Sequence, residues 1–325
     1  MTRRRFLALG VVASGTALAG CGVLGAMSAP EPAALLLPPV AVQLGRVRIT
    51  ALRTGRVAVK EAHRTLTGPA FSRLASIALD PRWTPWLPIT CWLLEHPDGP
   101  ILVDTGETPR VAEPGYFACD PGTQFVYERL LAFDVPVPAG LAAQLNALGL
   151  PPEEIRAVVL THLHSDHAGG LGDVAHARAV TSETTAASPP QGAVRCRWPS
   201  GWRPSPAPFD GPESGAFATS HALTPDGTIR TVPTPGHTRG HQSVVVEAGG
   251  RRVILAGDAA FSTAQIQERT VAGICEDVST ARRTLALLAE EMEAGTTVLC
   301  SHDPGAAEAL AALPVPPPRH RGGPG

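Results

Sequence analysis

With 325 residues, the chain is long enough for one large domain or two ordinary ones, and 44% hydrophobic residues can build a substantial core. A formal net charge of −2 argues against nucleic acid as a main partner, because phosphate binding needs a basic surface. Charged residues make up only 17%, while proline and glycine number 33 each, so many loops are expected, some of them stiffened.

The first residues read as a targeting segment. "MTRRRFLALGVVASGTALAGC" has a basic start, an apolar run and small residues before a cysteine. Arg3 to Leu7 resembles a twin-arginine export signal, and "LAGC" (Leu18 to Cys21) resembles a lipobox, in which Cys21 receives lipid and becomes the mature N-terminus. The apolar run is too short and wrongly flanked to be a transmembrane helix. The expectation is a signal peptide over 1–21, a Pro/Ala-rich tether over 22–45, a folded domain over 46–313 and a disordered tail over 314–325. The protein would then be exported and lipid-anchored through Cys21 to the outer face of a bacterial membrane.

Next come strand-like runs at "VRITALRTG" (Val47 to Gly55), "ITCWLLEHP" and "PILVDTG", with "HPDGP" as the hairpin turn between the last two. "PAGLAAQLNALGL" from Pro138 predicts a short amphipathic helix stopped near Gly149. "IRAVVLTH" reads as a buried strand, and "HTRGHQSVVVEAGGRRVILAGD" as a second hairpin. "VSTARRTLALLAEEMEAG" has leucines at helical spacing, with Ser279 as cap and Gly295 as stop. "TTVLCSHD" is one more strand. Hairpins in both halves favour a layered α/β fold with helices outside mixed sheets over one parallel sheet. Beyond Cys21 the cysteines are Cys91, Cys119, Cys196, Cys275 and Cys300; the number is odd and no CxxC occurs, which argues against a zinc ribbon. One or two disulfides can form, and Cys91 and Cys300, in apolar runs, read as buried thiols.

The chemistry concentrates in "VVLTHLHSDHAGGLGD" (Val158 to Asp173). His162 and His164 are two apart, so an extended backbone turns both imidazoles the same way. Asp166 and His167 follow a turn and approach from another side, and the Gly169-Gly170 pair lets backbone pass close to a bound group. Imidazoles and carboxylates suit zinc and similar divalent ions. A polar turn with incidental histidines would explain one histidine, not three within six residues. Other strand ends carry matching parts: His237 in "TPGHTRG", Asp258 in "ILAGDAA", His302 in "LCSHDPG" and Asp104 in "ILVDTG". Any one alone would read as a turn or a cap.

This set and order resemble the metallo-β-lactamase-fold hydrolases over about Val47 to Leu313, and the HxHxDH motif is specific to them. The resemblance implies a four-layer αβ/βα sandwich with the site at the shared edge of two sheets. It implies two divalent metal ions, zinc by ligand type. His162, His164 and His237 would bind one, Asp166, His167 and His302 the other, and Asp258 would bridge them. Asp104 would fix a ligand loop by hydrogen bonds. His241 has no ligand role, and a hydrogen-bonded support or a surface position is expected. A metal-bridging hydroxide would attack, and Asp166 would shuttle a proton to the leaving group.

"ITCWLLEHPDGPILVDTG", "LGLPPEEIRAVVLTHLHSDHAGG" and "TPGHTRGHQSVVV" are similar to the N-acyl-homoserine lactonase branch. Such lactonases commonly carry Tyr three residues after the bridging Asp, where this chain has Phe261, which cannot donate a hydrogen bond. Trp83 and Trp86 are candidate acyl-pocket residues, and the Pro-rich stretch from Thr184 to Phe217 a candidate substrate-facing loop. The expected activity is opening of a lactone ring. Alternatives are a phosphotriesterase, arylesterase or β-lactam hydrolase on the same metals, or a lipid-anchored binding protein without turnover. The complete ligand set argues against the last.

Overall fold

The computed structural model describes residues 37–66 and 73–313. Cys21, the signal peptide, the tether up to residue 36 and the tail over 314–325 lie outside the described residues. Thirteen strands among the described residues form two sheets. The first holds β1 (Val40–Leu44), β2 (Val47–Val59), β3 (Leu87–His96), β4 (Gly99–Val103), β5 (Leu131–Asp134), β6 (Ala157–Val159), β7 (Arg178–Ser182) and β8 (Ser205–Ala207). Its order is β1-β2-β3-β4-β6-β7-β8, with β5 paired to β2. The second runs β13-β12-β11-β10-β9, from β9 (His221–Ala222), β10 (Ile229–Pro233), β11 (Gln242–Ala248), β12 (Arg251–Gly257) and β13 (Thr297–Cys300). The helices are α1 (Glu61–Arg64), α2 (Arg73–Leu79), α3 (Pro121–Arg129), α4 (Leu141–Ala147), α5 (Ser165–Ala168), α6 (Glu183–Ala187), α7 (Thr263–Glu268), α8 (Val278–Glu293) and α9 (Ala306–Ala311).

Strand alternation explains the layers. Trp92 and Leu94 of β3, Ile101 and Val103 of β4, and Val244, Val246, Val253 and Leu255 of β11 and β12 meet in one core between the sheets. Their neighbours face outward: Cys91, Leu93 and Leu102 pack with Leu141 and Leu145 of α4. On the other side Val245, Ile254 and Ala256 pack with Ala281, Leu285 and Leu288 of α8. Helix, sheet, sheet and helix thus form the expected αβ/βα sandwich. None of the described helices is long and apolar enough to cross a membrane.

Both expected hairpins form, β3–β4 and β11–β12. Three expectations need correction. The tether reaches too far, because Val40–Leu44 pairs with Val47–Ala51 as an edge strand. The ladder in "IRAVVLTH" ends at Val159, where the chain leaves the sheet to bring its polar residues to the sheet edge. The cap of α8 is Asp277, whose carboxylate accepts the Thr280 N–H, while Ser279 donates to that same carboxylate.

Candidate metal centre

Asp104, His162 to His167, His237, Asp258 and His302 come from five separate segments, four of them following β4, β6, β12 and β13, with Asp166 and His167 on α5. Asp104 sits at φ 60, a left-handed conformation costly for a non-glycine residue. Its carboxylate accepts the Thr161 N–H at 2.8 Å and the Thr161 hydroxyl at 2.9 Å, and it meets His167 Nδ1 at 2.8 Å. Asp104 thereby ties the β6 loop to the end of β4.

Three imidazoles are held with their protons outward. His162 Nδ1 meets the Thr161 hydroxyl oxygen at 3.1 Å, whose own proton goes to Asp104. His164 Nε2 meets the Gln191 carbonyl at 3.0 Å and His237 Nδ1 the Ile274 carbonyl at 3.1 Å. The inner nitrogens are then bare lone pairs. His164 Nδ1 lies 2.9 Å from His162 Nε2 and 3.0 Å from His237 Nε2. Lone pairs this close repel unless a cation sits among them. Burial holds His162 well below the ordinary histidine value, lowers His164 and brings His237 to about 4, which keeps all three neutral.

The other half is rich in negative charge. His302 Nε2 lies 3.3 Å from both Asp166 Oδ2 and Asp258 Oδ1, and His167 Nε2 lies 3.1 Å from Asp258 Oδ1. The outer nitrogen of His302 meets the Pro88 carbonyl at 2.8 Å. Burial opposes charge on His302, but Asp258 and Asp166 outweigh it and push the ring up to about 10. Asp258 is buried as well, yet His302 and His167 hold its carboxyl well below the usual range. His167 Nε2 and Asp258 Oδ1 are buried without a hydrogen-bond partner among the described residues. Orphaned donor atoms and a demand for positive charge fit divalent cations, and metal binding here would release protons. Three ligand-capable triads overlap in this cluster: His162, His164 and His237; His162, His167 and Asp258; and Asp166, His167 and His302. All seven expected ligands are therefore brought together.

His241 is the buried support rather than a surface residue. It accepts the Asp258 N–H at 3.1 Å through Nε2 and donates through Nδ1 to the Thr234 hydroxyl at 2.9 Å. Gly257, at φ 55, admits this contact, because a Cβ there would lie 2.9 Å from His241 Nε2 and 2.7 Å from Thr161 Oγ1.

A cavity of about 370 Å³ opens onto the cluster. Asp166, His237, Asp258 and His302 form its polar end, and Val59, Leu74, Ile77, Val126, Leu131 and Ile274 its apolar wall. Phe261 lines it as expected, its ring 5.6 Å from that of His302. Trp83 and Trp86 do not. The segment carrying them runs beside β2, with a bridge from Trp83 to Lys60. Trp83 covers the Lys60 ammonium at 4.0 Å, and Trp86 lies 5.7 Å from the Arg56 guanidinium. The 184–217 stretch is only partly substrate-facing: Gln191 and Gly192 reach the cavity, while Trp198 and Trp202 pack on the helix-side core. A disulfide joins Cys119 to Cys196, and Cys91, Cys275 and Cys300 are buried thiols. His63 and Tyr127 are among the cavity residues that escape the sequence reading. His63 is the only residue of α1 in the lining, and Tyr127 lies on α3 with Thr123 and Val126, a helix with no ligand-type motif in the sequence.

The metallo-beta-lactamase superfamily model matches residues 84–302. The N-acyl homoserine lactonase AttM of Rhizobium johnstonii is 31% identical over 232 residues, covering 68% of this chain and 83% of that protein. Rv2300c of Mycobacterium tuberculosis, described as a probable metallo-hydrolase, is 35% identical over 187 residues, 54% of this chain and 58% of its own. A mutant of B. thuringiensis AiiA, solved with N-decanoyl-L-homoserine bound at its active site, superposes with a TM-score of 0.63 at 22% identity, over 82% of this chain and 97% of that one. With the family match over most of the chain and the fold in agreement, the protein belongs to the metallo-β-lactamase superfamily and is a metal-dependent hydrolase.

Proposed function

We propose that the protein opens lactone rings, N-acyl-homoserine lactones or close relatives, using two divalent metal ions, with zinc favoured by the donor set. His162, His164 and His237 would hold one ion, Asp166, His167 and His302 the other, with Asp258 between them. The observation that carries this reading is the cluster's division into three neutral, inward-facing imidazoles and a half that demands positive charge. Such ions would supply acidified water at neutral pH and polarisation of a carbonyl. The chain's own residues do the rest. Asp104 and His241 hold the ligand loops, Asp166 borders the cavity and can pass a proton to the leaving oxygen, and the apolar wall takes an acyl chain. Two likenesses support lactones as substrates: the N-acyl homoserine lactonase AttM and the AiiA mutant with N-decanoyl-L-homoserine bound at its active site.

The test is proton release by the zinc-loaded protein against acyl-homoserine lactones, a phosphotriester, an aryl ester and a β-lactam. Preference for the lactones supports the reading. Preference for another member of the panel keeps the metal centre and moves the substrate, with Phe261 as the first residue to vary. The export reading is proposed alongside it: wild-type protein should fractionate with membranes and incorporate labelled fatty acid, and Cys21→Ser should do neither.

A further inference from the structure

The stretch over 188–198 joins neither sheet, yet it brings Gln191 and Gly192 to the cavity. Its backbone hydrogen bonds are local ones, such as Ala193 N–H to the Pro190 carbonyl and Arg197 N–H to the Val194 carbonyl. A segment without a ladder is placed by whatever grips it from outside. Ala193 and Trp198 rest on the helix-side core, which fixes its height but not its contact with the metal edge.

That contact is close. The Gln191 carbonyl meets His164 Nε2 at 3.0 Å. Gly192 lies against the same ring, at φ +94, where a Cβ would be 2.8 Å from His164 Cδ2. The bond at the outer nitrogen sets the tautomer and rotation of the imidazole, and so the direction of its inner lone pair.

Two grips converge here. The Tyr127 hydroxyl on α3 donates to the Gly192 carbonyl at 2.7 Å and accepts the Ser165 N–H at 3.1 Å. Gly192 follows Gln191 and Ser165 follows His164, so one hydroxyl ties together the backbones of both partners of the Gln191–His164 bond. The ring behind that hydroxyl is itself fixed. It stacks on Phe117, with centroids 4.5 Å apart and 11° between planes, and is buried with Tyr116 and Val194. The second grip is covalent. Cys196 is joined to Cys119, just beyond Phe117. Beside it, Arg197 Nε donates to the Tyr116 carbonyl at 2.8 Å and its guanidinium lies 4.5 Å from the Tyr116 ring. Phe117 and Cys119 therefore hold, through Tyr127 and Cys196, the two ends of the segment that carries Gln191 and Gly192.

We propose that Tyr127 and the Cys119–Cys196 disulfide form a clasp that positions His164 for metal, by keeping the Gln191 carbonyl on its outer nitrogen. Both are positioning groups and act through the 191–196 segment. The proposal rests on reading His164 as a metal ligand.

The test compares wild type, Tyr127→Phe, Cys119→Ser/Cys196→Ser and the triple variant. Tyr127→Phe keeps the stacked ring and removes only the hydroxyl. Zinc affinity is read by competition with a chromophoric chelator, ligand geometry by the visible spectrum of the cobalt-loaded protein, and the fold by metal-free Tm. Tyr127→Phe should weaken zinc binding about tenfold and the serine variant at least about threefold, each with an altered cobalt spectrum. Because both act through one carbonyl, the triple variant should lose less than the product of the separate losses. Both cysteines are exposed, so a serine variant that fails to fold is replaced by folded wild type reduced with a phosphine, its two new thiols counted by alkylation. A lower Tm with zinc affinity within about twofold of wild type and an unchanged cobalt spectrum means that these groups only stabilise the fold, and overturns the proposal. Fully multiplicative losses overturn the shared clasp. Wild type that binds no zinc or cobalt overturns the ligand reading and the clasp with it, whereas normal binding in every variant overturns the clasp alone.

Discussion

The metal edge and the apolar wall of the cavity are built in opposite ways. At the metal edge, each imidazole arrives after a strand, in a short loop or on α5, and its outer nitrogen is fixed by a backbone carbonyl, Thr161 or Asp104. At the apolar wall, Val59, Ile77, Val126, Leu131 and Ile274 come from separate elements and contribute apolar side chains, with His63 and Thr123 as buried polar neighbours. Chemistry is set by a few residues held at fixed distances, and specificity by the summed shape of many interchangeable ones. Mutations at the edge should therefore abolish, and mutations at the wall should tune.

The sharpest way to break this contrast is at Asp258. Asp258→Ala, like His164→Ala, should lower kcat/KM by about 10³-fold or more and reduce bound metal, with far-UV circular dichroism unchanged. Full activity in either would remove the dinuclear assignment. One step out, Asp104→Asn should weaken metal affinity about 10–100-fold, read by competition with a chromophoric chelator. Wild-type affinity would mean that Asp104 only shapes the backbone.

Glu107 tests the edge through stability. It is fully buried beside Ser165, and burial pushes its carboxyl from 4.5 up to about 8. The folded metal-free protein keeps this proton up to about pH 8, while the unfolded chain loses it near its ordinary value. The group therefore costs nothing below about pH 4.5 and destabilises progressively as pH rises towards 8, by a few kcal/mol at most, on the order of 1.4 kcal/mol per unit. Glu107→Gln should flatten the fall in metal-free Tm between pH 5 and 8. An unchanged slope would assign that fall to other groups. The smallest effect is expected at the tryptophans: Trp83→Leu should cost about 1 kcal/mol through the lost contact with Lys60 and leave kcat/KM within about twofold. A tenfold change in KM would return this residue to the cavity.

Residues at short separation are legible in the sequence itself. His162, His164, Asp166 and His167 lie within one turn of chain, and their residue types leave little else for them to do. His237, Asp258, His302 and Asp104 are legible because each stands beside a recognisable strand. The two hairpins and α8 follow from periodicity and turn residues, because those patterns act over a few residues. Trp83 and Trp86 are not placed by sequence, because large aromatic rings pack equally well on a cavity or on cationic stems, and only the path of their segment along β2 decides which. The expected tether is too long because an edge strand such as Val40–Leu44 depends on the partner it pairs with.

By itself, then, the sequence determined the metal-binding chemistry, the layered α/β class and the location of the ligands on strand ends, since local spacing controls all three. Tertiary structure alone decided the cavity: that His63 and Tyr127 enter it and that the tryptophans do not. A cavity wall is assembled from residues far apart in the chain. Its shape is fixed by how sheets and helices pack, and no short stretch of sequence carries that information.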